Sequence, residues 1–305
     1  MKRTFATSTF AVALLGVAAC KGGGGDAAKF IPEAATVVGG ADLAGLQKTK
    51  LWTDNLKGMV ESNGKEQLAA MGECKLGLDK FKSVTFGVDP NGGDDKMAVV
   101  IAADGIGVKA NLDCAHDKIK EKEGKEPWTA EEDGKVLKMA NGGAVAYVVD
   151  DNTLVVSGKD WAEDVKKLTK GEGKSAFDGS LKDVLGKTDT GKHVWFAGKV
   201  PEKEGKGAAE QLGAAPASFA GYADLSSGVE TKILVGFASG DEAESVKTKV
   251  QGMWDGMFKD MAKAQTSEEV INSVKFGTSG EFFTVEAKAS DADLAKSMEG
   301  LKAFM

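Results

Sequence analysis

The sequence predicts an α+β fold made of two similar halves, each a mainly antiparallel sheet with helices packed on one face. Three observations carry this. Short apolar runs such as "KMAVVIAAD", "GAVAYVVD", "NTLVVSG", "HVWFAGKV" and "TKILVGFAS" are bounded by Gly, Asp, Asn or Lys, the pattern of strands. Tight turns at Pro90 to Gly93, Asp150 to Asn152 and Ser226 to Gly228 leave no length for a crossover, so they force antiparallel pairing. The third observation is an internal repeat.

In that repeat, "SVTFGVDPNGGDDKMAVVIAADG" from Ser83 aligns without gaps on "SFAGYADLSSGVETKILVGFASG" from Ser218. Asp89 falls on Asp224, Gly93 on Gly228, Val100 on Val235, Ala103 on Ala238 and Gly105 on Gly240. Both copies run on into a helical window, Val108 to Lys122 and Glu242 to Ala264. A second hairpin follows in each, "GGAVAYVVDDNTLVVSGK" and "NSVKFGTSGEFFTVEAK", and then a closing helix, Trp161 to Leu168 and Asp291 to Leu301. Upstream, "ATVVGGADL" and "KHVWFAGKV" supply the matching first strands. Each unit therefore reads strand, hairpin, helix, hairpin, helix. Residues 31–170 form the first half and 193–305 the second. Glycine and charge replace apolar runs over 171–192, which is the expected linker, and 200–216 is expected to be a second mobile loop.

The N-terminus has a different build. Lys2 and Arg3 precede a short apolar core from Phe10 to Val17, which ends in Ala18 and Ala19, the pattern of a secretory signal over residues 1–19. Val17-Ala18-Ala19-Cys20 resembles the lipobox of bacterial lipoprotein precursors. The resemblance implies that the Cys20 thiol receives a diacylglycerol, that cleavage precedes it, and that two or three acyl chains then hold the protein on a membrane. Residues 20–30, with Gly22 to Gly25, would be a flexible tether with a reach of roughly 15 to 20 Å. In enterobacterial lipoproteins an aspartate after the cysteine retains the protein in the inner membrane. Lys21 stands there, so the resemblance points to the outer membrane, with a periplasmic or surface-displayed body.

Charge narrows the partners. The formal net charge of −7 includes Lys2 and Arg3, so the body is more acidic still. Such a body is a poor partner for nucleic acid or an anionic lipid surface. "KIKEKEGKE" reads as a solvated helix face. No run beyond the signal approaches the roughly twenty apolar residues of a membrane helix.

With Cys20 assigned to lipid, Cys74 and Cys114 are the number for one disulfide in an exported protein. A zinc or copper site at Cys74, Cys114 and His116 is the rival, but on a helix Cys114 and His116 stand about 200° apart. No metal and no cofactor is expected. "GIGVKA" mimics a dinucleotide turn but lacks a following parallel βαβ unit, and its repeat copy reads "GDEAES". "GEGKS" lacks the leading glycine of a phosphate loop. "DPNGGDD" lacks the ordered ligands of a calcium loop and fits a turn.

Nor is a catalytic residue expected. His116 and His193 are the only histidines, no serine lies in Gly-x-Ser-x-Gly context, and Glu131, Glu132 and Asp133 sit in a glycine-flanked loop with nothing to desolvate them. Val246, Val250, Met253, Met257 and Met261 make one helical stripe, with Trp254 and Phe258 beside it. The stripe is open to two readings, core packing or an adaptable apolar groove. The expected function is that of a non-catalytic envelope protein, a structural or protein-interaction module, with a binder or carrier of an apolar ligand as the alternative.

Overall fold

Twelve strands join in one continuous sheet, and every pairing in it is antiparallel. The computed structural model describes residues 27–140, 142–263 and 266–294. In chain order the strands are β1 (Val37–Asp42), β2 (Phe81–Val88), β3 (Met97–Ala103), β4 (Trp128–Glu131), β5 (Val136–Met139) and β6 (Ala144–Asp150). They continue with β7 (Thr153–Gly158), β8 (Val194–Lys199), β9 (Ser218–Asp224), β10 (Val229–Gly236), β11 (Lys275–Ser279) and β12 (Phe282–Ala289). Across the sheet the order is β11-β12-β10-β9-β8-β1-β2-β3-β7-β6-β5-β4.

The order of β1, β2, β3, β7 and β6 is repeated by β8, β9, β10, β12 and β11. This is the α+β fold in two similar halves, and the first strands of the two copies, β1 and β8, lie side by side at the centre. The two long helices, Lys109–Glu123 and Gly240–Met253, occupy equivalent places in the copies. The hairpin β4–β5 has no counterpart among the described residues of the second half. It forms where an acidic loop is expected, because Glu132 and Asp133 adopt positive φ and turn the chain tightly. Residues 200–216, expected to be a mobile loop, hold the helix Glu202–Leu212 instead. Pro201 precedes it, Gly205 packs against the Pro216 carbonyl, and Gly213 closes it in the left-handed conformation. Of the closing helix expected over Asp291 to Leu301, residues 295–301 lie outside the described residues.

Successive side chains on a strand point to opposite faces, so the neighbours Trp195 and Phe196 mark the two sides of the sheet. The Trp195 side carries the main core. Val38, Val100, Val155, Ala197, Ala220 and Leu234 are buried there beneath Phe30, Ile31, the Trp161–Leu168 segment and residues 176–185. Residues 171–192 thus contribute Ala176, Leu181, Val184 and Leu185 to the core. Tyr147 donates from its hydroxyl to the Ala162 carbonyl at 2.7 Å, and burial pushes its phenol up to about 12.

The Phe196 side holds four separate clusters. Lys109–Glu123 covers one flank through Leu112 and Ala115, and Gly240–Met253 covers the other through Ala243 and Val246. An excursion between β1 and β2, residues 43–80, packs Leu43, Leu46 and Trp52 over the strand ends at Ala41, Val84, Val194 and Val229.

Candidate functional site

Cys20 and residues 21–26 lie outside the described residues. Ala28 and Phe30, at the end of the expected tether, are buried in the body.

Cys74 and Cys114 are joined in a disulfide, with their Cα atoms 5.5 Å apart. Cys74 ends the helix Lys65–Glu73 and is 2% exposed, while Cys114 lies in the second turn of Lys109–Glu123. Next to the bridge, Lys118 pairs with Glu73 at 2.5 Å. Among the described side chains of the helices Lys57–Asn63 and Lys65–Glu73 none is fully buried, though Val60 and Met71 pack half-buried against the core. The bridge and the neighbouring Leu76 are the buried attachments of this part of the excursion to the body.

The bridge removes Cys114 from any metal site. Among the described residues no group of three or more His, Cys, Asp or Glu could hold a metal ion. His116 is engaged by Glu126 at 2.7 Å and Asp117 at 3.1 Å, with its ring edge-on to Trp128. His193 Nδ1 accepts the Leu225 N–H at 3.1 Å and lies 3.1 Å from Asp224. Asp224 also accepts from Lys192 at 2.8 Å and from the Ser226 N–H at 3.0 Å. Burial pushes this carboxyl up, but the Lys192 and Ser226 hydrogen bonds outweigh it and hold it well below the usual carboxylate range. No serine or cysteine side chain is hydrogen-bonded to either imidazole among the described residues. Glu132, in the acidic turn, is tied to Lys166 at 2.6 Å, which lowers its pKa.

The fragments that resemble nucleotide motifs are turns. Gly105 and Gly107 follow β3, which pairs antiparallel with both β2 and β7, and a Cβ at Gly107 would strike the Asp150 carbonyl. Asp89 accepts the Asn91 N–H and pairs with Lys96, closing the "DPNGGDD" turn on itself.

The long helix of the second half divides in two. Its first part packs through Ala243, Val246 and Val250. A π-helical turn, Trp254–Phe258, then shifts the phase of the apolar stripe. Trp254 stays half-buried against Phe276, but Met253, Met257, Phe258 and Met261 are 40%, 51%, 41% and 58% exposed. Core packing does not describe these four. Phe258, beside the stripe in sequence, is exposed with the methionines. A polar cleft of about 400 Å³ is lined by Asp224, Ser226, Glu230, Glu269, Ser273 and Lys288.

The sequence reading missed a feature on the Phe196 side of the sheet. One cross-strand row runs Val99, Phe86, Gly39, Phe196, Gly221, Ile233 over β3, β2, β1, β8, β9 and β10. The rings lie down over the glycines, for a Cβ at Gly39 would sit 2.7 Å from the Phe86 ring, and one at Gly198 would sit 2.5 Å from Phe219. The alternation of Phe and Gly on adjacent strands was a signal that could have been found, but only once the strand register was known.

No known protein family matches the chain, and no curated protein does. Solved structures of TP0453 do share its fold. Crystal form I matches with a TM-score of 0.52 at 10% identity, covering 90% of this chain and 98% of that one. Crystal form III gives the same values, and crystal form IV gives a TM-score of 0.50 at 11% identity, covering 90% and 96%. At such identity the likeness is one of fold: a mixed α+β architecture with an antiparallel sheet.

Proposed function

We propose that the chain is a lipid-anchored protein of the bacterial cell envelope that works by binding an envelope protein partner and not by catalysis. Cys20, in its lipobox-like context, is the anchor, and Lys21 fits retention at the outer membrane. The Cys74–Cys114 bridge suits an oxidising compartment such as the periplasm. The observation that carries the binding role is the exposed apolar end of the long helix, at Met253, Met257, Phe258 and Met261. Soluble surfaces seldom keep such a cluster without a use, and methionine adapts to varied partner shapes. A second reading, a carrier of an apolar ligand, has its own support in the Phe196 face of the sheet.

A photo-crosslinking amino acid at Met257, in cells expressing the full chain, tests the first reading. A discrete covalent protein adduct is expected there, with none from Lys203 on the helix Glu202–Leu212. Equal labelling at both positions, or no protein adduct at Met257, would overturn it.

A further inference from the structure

The more apolar face of the sheet is the less covered one. On the three rows that cross β3, β2, β1, β8, β9 and β10 through Val84, Phe86 and Val88, Thr231 is the one polar side chain, and its hydroxyl donates to the Ala287 carbonyl. The row through Val84 is sealed by the 43–80 excursion. Beyond it Val37, Phe86, Val99, Phe196 and Phe219 are only half-buried, Ile233 is 41% exposed, and none of them belongs to any cluster of the buried core.

The surroundings give this surface the form of a trough. Lys109–Glu123 walls one long side and Gly240–Met253 the other. The excursion closes one end, and at the other the helix Glu202–Leu212 joins the Gly240–Met253 wall through Leu212. Six strands lie between the walls, a floor about 24 Å across at the usual strand spacing. Flattened rings over glycines make that floor smooth.

Chemistry selects the occupant. A protein interface of ordinary kind needs about one hydrogen bond per 100–200 Å², scattered among its apolar contacts. This floor offers none, because its backbone N–H and C=O groups are spent in the strand ladders on both sides and its side chains are hydrocarbon. A hydrocarbon chain asks for none. We infer that the trough formed by Phe86, Val99, Phe196, Phe219 and Ile233 binds the acyl chains of an exchangeable lipid. The ligand's polar head would stay at the rim. This site is distinct from the Met257 surface, and it stands or falls without it.

The test uses the full chain carrying Cys20→Ser, so that no acyl chain can come from the protein's own anchor, and tritiated palmitate below its micellar concentration. Saturable binding is expected, weakened at least tenfold by Ile233→Glu, a substitution at an exposed position, and unchanged by Met257→Glu. In the chain without Ile233→Glu, a spin-labelled stearate should broaden the methyl resonances of Ile233 and Val99 and spare Val100 and Val155 on the opposite face. No saturable binding, binding indifferent to Ile233→Glu, or broadening centred elsewhere would overturn the inference. So would a protein that occupies the trough and cannot be displaced by palmitate. The Met257 crosslink can succeed or fail independently of every one of these outcomes.

Discussion

The Phe196 ring lies across Gly221 on the neighbouring strand, so closely that a Cβ at Gly221 would sit 2.7 Å from the ring and 2.6 Å from the Lys232 carbonyl. The backbone oxygen cannot step aside, so Gly221→Ala should lower stability by about 1–3 kcal/mol. Gly252, inside the long helix, has nothing within 4 Å of such a Cβ. Gly252→Ala should therefore stabilise by about 0.5–1 kcal/mol. Urea midpoints moving in opposite directions for the two variants would bear this out, and a neutral Gly221→Ala would contradict it.

Thr85 is fully buried on the Trp195 face, and its hydroxyl has no hydrogen-bond partner among the described residues. Replacing it with a side chain of the same shape removes an unmet polar group. Thr85→Val should raise stability by about 1 kcal/mol, read from the same denaturation curves. A loss of that size would mean the hydroxyl is satisfied in solution.

Reduction of Cys74–Cys114 should act locally. The cysteines are 40 residues apart in sequence, and opening a loop of that length costs about 4 kcal/mol in the chain-entropy account. Among the described side chains of the helices at 57–73 none is fully buried, so hydrogen exchange there should speed up well before that of β8–β10. Non-reducing peptide mapping should find the Cys74 and Cys114 peptides linked, and two freely alkylated thiols in the exported protein would dismiss the bridge.

Asp224 makes stability depend on acid. Its pKa is depressed in the folded state, so its contribution is fully present above the ordinary aspartate range and is lost as pH falls through about 4 toward the lower folded value. Asp224→Asn should be less stable than the parent at pH 7 and should lose less between pH 5 and pH 2.5. A parallel loss in both proteins would place the acid sensitivity elsewhere.

Cys20→Ser should abolish incorporation of a palmitate analogue and leave the precursor at its uncleaved mass. Equal label on both forms would remove the anchor from the proposed function.

Apart from β4 and β5 the strands were legible as short runs with polar or glycine boundaries, and the repeat placed β2–β3 on β9–β10. The disulfide was legible once Cys20 was set aside for lipid in an exported protein, which leaves Cys74 and Cys114 as one pair. What escaped depends on contacts between distant residues. Residues 128–139 are too polar to announce a hairpin, since only Val136 and Leu137 are buried there. Glu202–Leu212 reads as a loop because Gly205 and Gly207 weaken its helical pattern, while the close approach to Pro216 that requires Gly205 is a tertiary fact. The stripe from Val246 to Met261 is continuous on paper, and only the π turn at Trp254–Phe258 separates its buried end from its exposed one. The aromatic floor could not be seen at all in one dimension, because Phe86, Gly39 and Phe196 become neighbours only through strand register.

The antiparallel pairing of β1 with β8 places an approximate dyad at the middle of the sheet, between Gly39 and Phe196. Two copies of one ancestral unit, each offering its first strand to the other, would meet by this same isologous contact as separate chains. Covalent fusion turns such a dimer interface into the centre of a single fold and removes its dependence on concentration. Each half then serves as the edge protection of the other, since parting them would turn β1 and β8 into two open sheet edges prone to aggregation.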